Sequence, residues 1–232
     1  MSRVLRICST MLITAGIVVL ADAGLTLAWQ EPLSAAYGAL KQGQAEDQLN
    51  QLESQYPTPA DLAAIAEVRG NAAKARVLAD RFEPLLQEGH AIGRIQIDRI
   101  GLNMVVVQGT DTASLEKGPG HYRATPIPGQ PGTVAIAGHR TTYLAPFRHI
   151  DQIHDGDEVR IVMPYAAFTY TVEKHDVVDP GDVGIIKPVG YDRLVLTACH
   201  PPYSAAHRYA VFAKLTRIDT FDVTGEFRWL AP

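Results

Sequence analysis

Hydrophobic and polar positions divide the chain into three stretches, and the first of them is almost entirely apolar. Arg3 and Arg6 precede an apolar run that continues to Trp29. A helix of about 20 such residues crosses a bilayer core. The two arginines predict a cytoplasmic N-terminus by the positive-inside rule, and Trp29 would then lie at the outer interface. Residues 1–30 are therefore predicted to form a transmembrane signal anchor, with the rest of the chain outside the cytoplasm.

A second interpretation of this stretch stays open because Asp22 interrupts the apolar run. A carboxylate in the middle of a bilayer costs on the order of 3 kcal/mol, and less towards the end of a span. The segment Ala21-Asp22-Ala23 is also similar to a signal-peptidase site after a short apolar core. We favour a retained anchor over a cleaved signal peptide, and either one exports the following domain.

The second stretch, residues 31–88, is rich in Ala, Leu, Gln and Glu and lacks the alternation of strands, which predicts helices. The sequence Pro-Thr-Pro at residues 57–59 interrupts it. Thr58 or Asp61 is suited to cap a second helix that would reach about Leu86. We expect this stretch to be a helical stalk that spaces the following domain from the membrane.

The third stretch begins near residue 89 and consists of short β-branched or aromatic runs bounded by Gly, Pro and Asp. Runs of this length and spacing predict a mainly β domain, either a closed barrel or a sandwich. Asp111 or Thr112 is suited to cap a short helix that ends near Lys117. The domain is predicted to cover residues 89–216, followed by a tail at 217–232. The predicted strands are residues 95–100, 104–107, 133–137, 158–163, 168–172, 194–197 and 209–213.

Composition narrows the class of protein. The hydrophobic fraction of 47% and the net charge of -4 are typical of a globular protein. No run rich in Lys and Arg is present, so nucleic acid is not expected as a partner. The two cysteines, Cys8 and Cys199, lie in different stretches and predict no disulfide framework. An unpaired cysteine is often a small buried hydrophobic residue, but in an exported domain it risks oxidation, and catalysis is one reason to keep it.

Three polar residues lie at the ends of predicted strands. His139 follows the strand at 133–137, Cys199 follows the strand at 194–197, and Arg208 precedes the last strand. A barrel brings such ends together at one rim, where functional loops are usually found. A thiolate attacks carbonyl groups, an imidazole transfers protons, and a guanidinium stabilises an oxyanion. In a chain with eight histidines, coincidence remains an equal alternative on spacing alone.

An ordered series of motifs carries a resemblance to a known family. The stretch from Gly93 to Leu215 resembles the catalytic domain of sortases, and it looks most like class E. The motifs are Ile95-Gln96-Ile97, Ile100-Gly101-Leu102, Val107-Gln108-Gly109-Thr110-Asp111, Gly118-Pro119-Gly120-His121-Tyr122, Ile136-Ala137-Gly138-His139-Arg140-Thr141-Thr142-Tyr143, Pro146-Phe147, Gly156-Asp157, Val178-Asp179-Pro180 and the segment from Leu194 to Pro201.

The resemblance implies an eight-stranded β-barrel and a cysteine transpeptidase. Sortases cleave a C-terminal sorting signal between Thr and Gly, hold the protein as a thioacyl intermediate and transfer it to an amine. The expected partners are therefore the sorting-signal peptide of exported proteins, the amine of a peptidoglycan precursor or pilin, and the membrane through the N-terminal helix. No organic cofactor and no metal are expected.

The resemblance also assigns residues. His139 matches the catalytic histidine, Cys199 the nucleophile and Arg208 the conserved arginine. Tyr143, Thr197 and Ala198 are predicted to contact substrate. Tyr143 resembles a class E feature linked to LAxTG-type signals in preference to LPxTG. His121 and His200 are expected to support loops rather than to react.

One motif departs from the family pattern. Sortases usually have TLxTC before the nucleophile, whereas Val195 and Ala198 replace both threonines here. We expect altered efficiency rather than an inactive enzyme. The alternative is a catalytically degenerate, anchored barrel that binds surface-protein peptides. An L,D-transpeptidase is a weaker alternative, because that family usually places His and Gly just before its cysteine.

Overall fold

The computed structural model describes residues 2–28 and 32–220. Its α-helices are α1 (Ser2–Ala28), α2 (Pro32–Gln55), α3 (Pro59–Ile65), α4 (Asn71–Phe82) and the single turn α5 (Thr112–Leu115). Its strands are β1 (Ala91–Ile97), β2 (Leu102–Gln108), β3 (Gly120–His121), β4 (Thr133–Ala137), β5 (Glu158–Met163), β6 (Ala166–Val178), β7 (Arg193–His200) and β8 (His207–Thr220). Short 3-10 helices lie at Glu83–Leu85, Asp98–Ile100, Ile150–Gln152 and Val183–Ile186.

The eight strands form a closed barrel, in the order β1-β2-β3-β4-β7-β8-β6-β5. Pairing of β1 with β5, for example Ile95 with Ile161, closes the sheet. Two neighbouring pairs, β2–β3 and β4–β7, run parallel, and the other pairs run antiparallel. Closure leaves no long free edge. The predicted eight-stranded barrel is confirmed.

The inward side chains of the strands form one core. Alternate residues on a strand point to opposite faces, and the inward set of β7 (Leu194, Leu196 and Ala198) packs in the main hydrophobic cluster. Large side chains fill the same cluster and are fully buried, among them Phe147, Tyr165, Phe168 and Tyr170. The barrel is thus a packed scaffold, and its reactive groups have to lie on its rim or outer surface.

The strand boundaries differ from the prediction where the hydrophobic pattern is weak. β4 and β5 have the predicted ends, but β6 continues to Val178 and β8 to Thr220. Residues 173–177 of β6 are exposed, so they lack an apolar pattern. β8 extends four residues into the predicted tail, and residues 221–232 lie outside the described residues. The two-residue strand β3 is too short to produce any alternation.

The predicted second helix of the stalk is two helices. Thr58 is the N-cap of α3 in a capping box, since its side chain accepts from the N–H of Asp61 and the Asp61 carboxylate accepts from the N–H of Thr58. The helix ends at Ile65, and α4 starts only after Gly70. Gly70 has φ +85°, a left-handed conformation that a continuous α-helix does not contain. The prediction of one helix to Leu86 is therefore wrong.

Helices α2 and α4 lie against the barrel. Leu49 of α2 is fully buried on β1 and β2, and Leu78 and Phe82 of α4 are buried in the main core. The Gln42 side chain donates to the carbonyl of Val105 and accepts from its N–H, both at 3.0 Å. It thereby satisfies an edge position of β2. These helices belong to the folded unit, and a spacer role for them stays a prediction.

Helix α1 is a candidate membrane anchor. The window Arg3–Gly24 has a mean hydropathy of 2.1, and none of it is buried against the rest of the protein. An apolar helix with all faces exposed is unfavourable in water. Trp29, the predicted interface residue, lies outside the described residues.

Candidate active site

The parallel pair β4–β7 places two of the predicted residues side by side. Ala137 of β4 is aligned with Thr197 of β7, and the N–H of Gly138 donates to the carbonyl of Thr197 at 3.0 Å. His139 and Cys199 each follow this aligned pair by two residues. Because parallel strands end at the same edge of the sheet, the imidazole and the thiol leave neighbouring strand ends at one rim of the barrel.

A close backbone approach fixes the loop after β4. A Cβ atom at Gly138 would lie 2.6 Å from Cδ2 of the Phe147 ring, so a larger residue does not fit there. Phe147 is fully buried, and its N–H donates to the carbonyl of His139 at 3.0 Å. The loop that carries His139 is thus closed at its base by a core aromatic residue.

Strand β8 brings the third predicted residue to the same place. Arg208 is the direct register partner of Cys199 on the antiparallel pair β7–β8. Opposite residues on such a pair lie about 5 Å apart and point to the same face. Nη1 of Arg208 donates to the carbonyls of Ala205 and His207 at 3.1 and 3.0 Å. Those bonds hold the guanidinium beside the loop that follows the thiol.

The imidazole of His139 is half-buried, and its charge is controlled by two opposing effects. Burial lowers the pKa of His139 because it disfavours the charged form, while the Glu116 carboxylate raises it by a smaller amount. Nε2 of His139 is buried and has no hydrogen-bond partner within the described residues. Buried polar atoms are normally satisfied, so this nitrogen lacks the partner that such an atom usually has.

Tyr143 lies next to His139, with 5.2 Å between the ring centroids. Its hydroxyl donates to Glu116 at 3.2 Å, and its N–H donates to the hydroxyl of Ser34 in α2 at 3.3 Å. Residues 143–145 have φ of 50°, 65° and 43°. Three successive non-glycine residues in this left-handed region cost roughly 1–2 kcal/mol each. The loop therefore depends on outside contacts for its conformation.

Thr197 and Ala198 point in opposite directions from β7. Thr197 is on the face of Cys199, and its Oγ1 lies 2.9 Å from the Tyr122 hydroxyl. Ala198 is 2% exposed and packs in the main core. Val195, the other departure from the family pattern, is fully buried in a small cluster on the outer face. Substrate contact by Ala198 stays a prediction, and its burial indicates a packing role.

Three neighbours of the site received no role from the sequence. Glu116 follows α5 and contacts Tyr143. Asp151 pairs with Arg140 across the base of the His139 loop. Tyr37 of α2 contacts Tyr143 edge to face, with 6.2 Å between the ring centroids. These residues lie 27, 11 and 106 positions from their partners, so no local pattern joins them. The sequence signal that could have pointed to one of these contacts is Arg140, because it directly follows His139 in the motif given above.

The expected supporting histidines occupy bonded positions. Nδ1 of His121 lies 2.8 Å from Gln108 Oε1, and Nε2 lies 3.0 Å from the carbonyl of Pro126. Burial lowers the pKa of His121 to about 4, so this residue is neutral near pH 7. His200 receives a hydrogen bond from Arg140. Within residues 2–28 and 32–220, no group of three or more His, Cys, Asp or Glu side chains could hold a metal ion.

Comparison with known proteins decides the family. The model of the sortase domain family matches residues 95–216, which is more than half of the chain. The chain belongs to the sortase family. Sortases are cysteine transpeptidases, and the barrel described above has the sortase fold.

Relatives of two sortase classes are similar to this sortase domain. Sortase D of Bacillus subtilis is 36% identical over 137 residues, which are 57% of this chain and 67% of that protein. Sortase SrtE1 of Streptomyces coelicolor is 27% identical over 150 residues, 58% of this chain and 42% of that protein. The structure of sortase E from Streptomyces avermitilis has 36% identity and a TM-score of 0.53, and the match covers 58% of this chain and 93% of that one.

Proposed function

We propose that this sortase is an active transpeptidase with Cys199 as nucleophile, His139 as acid and base, and Arg208 as the oxyanion-stabilising group. The observation that carries the proposal is the convergence of these residues from three strands at one rim. Cys199 and Arg208 are register partners, and His139 leaves the strand end beside Cys199. Their separation along the chain makes this convergence a property of the fold rather than of a local motif.

The first half-reaction is cleavage of a sorting signal between Thr and Gly. His139 accepts the proton of the Cys199 thiol, Sγ forms a bond to the carbonyl carbon of the Thr residue, and Arg208 stabilises the oxyanion that results. The C–N bond then breaks, and His139 gives its proton to the leaving amine of Gly. The products are a thioacyl intermediate on Cys199 and a free C-terminal fragment that begins with Gly.

The second half-reaction transfers the protein to an amine of a peptidoglycan precursor or pilin. The amine nitrogen attacks the thioacyl carbon, and His139 accepts the proton that the amine loses. The C–S bond breaks, and the sulfur leaves with the electron pair, so that the cysteine is ready for another cycle. An imidazole with a lowered pKa, as burial gives His139, is suited to accept this proton near neutral pH.

Substrate contacts are proposed for Tyr143 and Thr197. The ring of Tyr143 is 5.2 Å from His139, which supports a contact with a residue of the signal near the scissile bond. Thr197 is on the same face of β7 as Cys199. We propose a preference for LAxTG over LPxTG signals on the resemblance of Tyr143 alone. For Ala198, burial in the core favours an indirect effect through packing.

The proposed topology is a single membrane span with the catalytic barrel outside the cytoplasm. It is supported by the apolar, unburied window of α1 and by the arginines that precede it. A retained anchor would keep the barrel near the site where surface proteins emerge. Labelling of engineered cysteines by a membrane-impermeant reagent in intact cells would test this topology.

The central test uses the full chain purified in detergent, with fluorogenic LAxTG and LPxTG peptides, a scrambled peptide and an amine acceptor. We expect cleavage between Thr and Gly, and an acceptor-linked product by mass spectrometry. Cys199→Ala should abolish both. Cys8→Ala is the matched control, because Cys8 lies in the exposed helix α1, and it should cleave like the wild type. Turnover by Cys199→Ala would contradict the proposal.

One outcome of the same experiment would favour the degenerate barrel. Val195 and Ala198 replace the usual threonines before the nucleophile. Saturable binding of the peptide without cleavage, together with failure of a thiol-reactive probe to label Cys199 in the folded protein, would support a peptide-binding barrel instead of an enzyme.

A further inference from the structure

The residues that directly follow the three proposed catalytic residues form a cluster of their own. Arg140 follows the histidine, His200 follows the cysteine, and Tyr209 follows the arginine. Nη1 of Arg140 donates to Nδ1 of His200 at 2.9 Å. The Tyr209 ring centroid lies 5.9 Å from Cζ of Arg140 and 5.7 Å from the ring centroid of His200. Side chains from three segments, each one position after a proposed catalytic residue, are thus in contact.

Arg140 is the centre of this cluster. Its side chain is 2% exposed, and a guanidinium at such a position has to be paired. Nη2 donates to Asp151 Oδ2 at 2.5 Å, and Nε donates to the carbonyl of Arg148 at 3.4 Å. Asp151 belongs to the 3-10 helix Ile150–Gln152. The guanidinium is therefore held on one side by the end of the His139 loop and on the other by His200.

The chemistry of the bond fixes the ring of His200. A guanidinium can only donate hydrogen bonds, so Nδ1 of His200 must carry its lone pair towards Arg140. The imidazole proton then lies on Nε2. A ring held in one orientation on the residue after Cys199 restricts the backbone at the point where the thiol leaves the strand.

The position of the Arg140–His200 hydrogen bond along the two strands indicates what the bond can do. The backbone alignment of β4 with β7 reaches the pair Ala137–Thr197. Arg140 and His200 are each three residues beyond that pair, so their side-chain bond continues the parallel alignment. Along the two chains, His139 and Cys199 lie between the backbone ladder and this side-chain bond.

We infer that Arg140 and His200 are positioning residues, whose hydrogen bond, anchored on Asp151, sets the alignment of the His139 imidazole with the Cys199 thiol. The activity readout rests on the proposed function. A hydrogen-bonded partner in a neighbouring strand keeps reacting groups within a fraction of an ångström, and a misplacement of 1 Å can lower a rate about 100-fold.

The discriminating variants are His200→Ala and His200→Asn in the full chain. Asn places an acceptor oxygen near the position of Nδ1, whereas Ala removes the acceptor. We expect His200→Ala to lower kcat roughly 10- to 100-fold with KM within about twofold of the wild type. His200→Asn should recover kcat to within about threefold. His154→Ala, a change of an exposed histidine on a neighbouring loop, is the matched control and should have wild-type kcat and KM.

A double-mutant cycle tests the bond itself. Arg140→Lys keeps the charge but cannot donate in two directions at fixed geometry. If both residues act through their shared hydrogen bond, the double variant Arg140→Lys with His200→Ala should lose no more kcat than the more impaired single variant. Multiplicative losses would overturn the inference, and so would equal kcat values for His200→Ala and His200→Asn. If Arg140→Lys fails to fold, the His200 pair decides.

Hydrogen exchange separates this inference from the proposed function. In His200→Ala, amides of residues 139–148 should exchange faster than in the wild type, and in His200→Asn they should not. If the wild type cleaves no peptide, the proposed function fails, and this exchange comparison still decides the inference. Unchanged exchange in His200→Ala would overturn it.

Discussion

The two loops that flank the proposed active site are held by different contacts. The loop after β4, residues 138–149, is contacted by α2 through Ser34, by Glu116 after α5, and by Asp151. The loop after β7, residues 201–206, has hydrogen bonds within itself and to β8: the N–H of Ser204 donates to the carbonyl of Pro201, the N–H of Ala206 donates to the hydroxyl of Ser204, and Arg208 donates to the carbonyl of Ala205. Most of its residues are exposed.

This difference means that the Cys199 thiol and the His139 imidazole are positioned by different parts of the protein. The thiol lies on strand β7, which is paired with β8 as far as His200. The imidazole lies on a loop in which three residues have positive φ, and this loop is contacted by helix α2. Helix α2 lies outside residues 95–216, the part of the chain that matches the sortase domain. The histidine side of the reaction should therefore be the side that distant changes affect.

The largest expected effect is on the histidine itself. His139→Gln removes proton transfer in both half-reactions, and general acid–base groups contribute about 100- to 10,000-fold to rates. We expect kcat for peptide cleavage to fall within that range while the protein stays folded by circular dichroism. A loss below tenfold would show that another group transfers the proton. The loop that carries His139 would then not be the one that positions the acid–base group.

The next effect tests the dependence on α2. Leu49→Ala removes a fully buried side chain between α2 and the barrel, and such changes cost about 2–5 kcal/mol. Leu40→Ala in the same helix is the matched control, because Leu40 is 60% exposed and should change stability by less than about 0.5 kcal/mol. Denaturant titration of the full chain in detergent measures both. Equal effects of the two variants would show that α2 does not depend on this contact.

A smaller effect is expected from a matched pair of glycines in α2. A Cβ at Gly38 would lie 3.0 Å from the carbonyl carbon of Tyr143 and 3.1 Å from its Cα, whereas Gly43 has nothing within 4 Å. Gly38→Ala should push the His139 loop and lower kcat/KM roughly 3- to 10-fold. Gly43→Ala should leave activity unchanged and add about 0.5–1 kcal/mol of stability. Peptide cleavage and denaturant titration of both variants are the measurements, and equal activities would contradict the contact.

The smallest effect concerns the charge of His139. Burial lowers its pKa and Glu116 partly opposes this, so Glu116→Gln should lower the pKa further. NMR titration of the imidazole in a Cys199→Ala background avoids coupling with the thiol. We expect a pKa below 6.5 with Glu116 and a lower one without it. A rise after Glu116→Gln would mean that the carboxylate does not act through its charge.

The amino-acid pattern predicted a mainly β domain because its strands are short apolar runs with clear boundaries, as in β4 and β5, and the resemblance to sortases supplied the closed eight-stranded barrel. It failed where a strand is exposed, as in the second half of β6, and where one glycine divides a helical run, as at Gly70. The proposed catalytic residues were predicted from their motifs. Their supports were not, because Glu116 and Ser34 meet Tyr143 only through the tertiary fold, and Asp151 meets Arg140 in the same way.

The parallel pairing of β4 with β7 affects when, during folding, the site can form. Ala137 and Thr197 are 60 positions apart in sequence and must meet before the histidine and the cysteine can. Contacts between distant segments form slowly because a long loop has to close first. A chain that has not yet folded would carry a thiol without its imidazole neighbour. The proposed chemistry at Cys199 would therefore begin only once barrel assembly has brought these distant segments together.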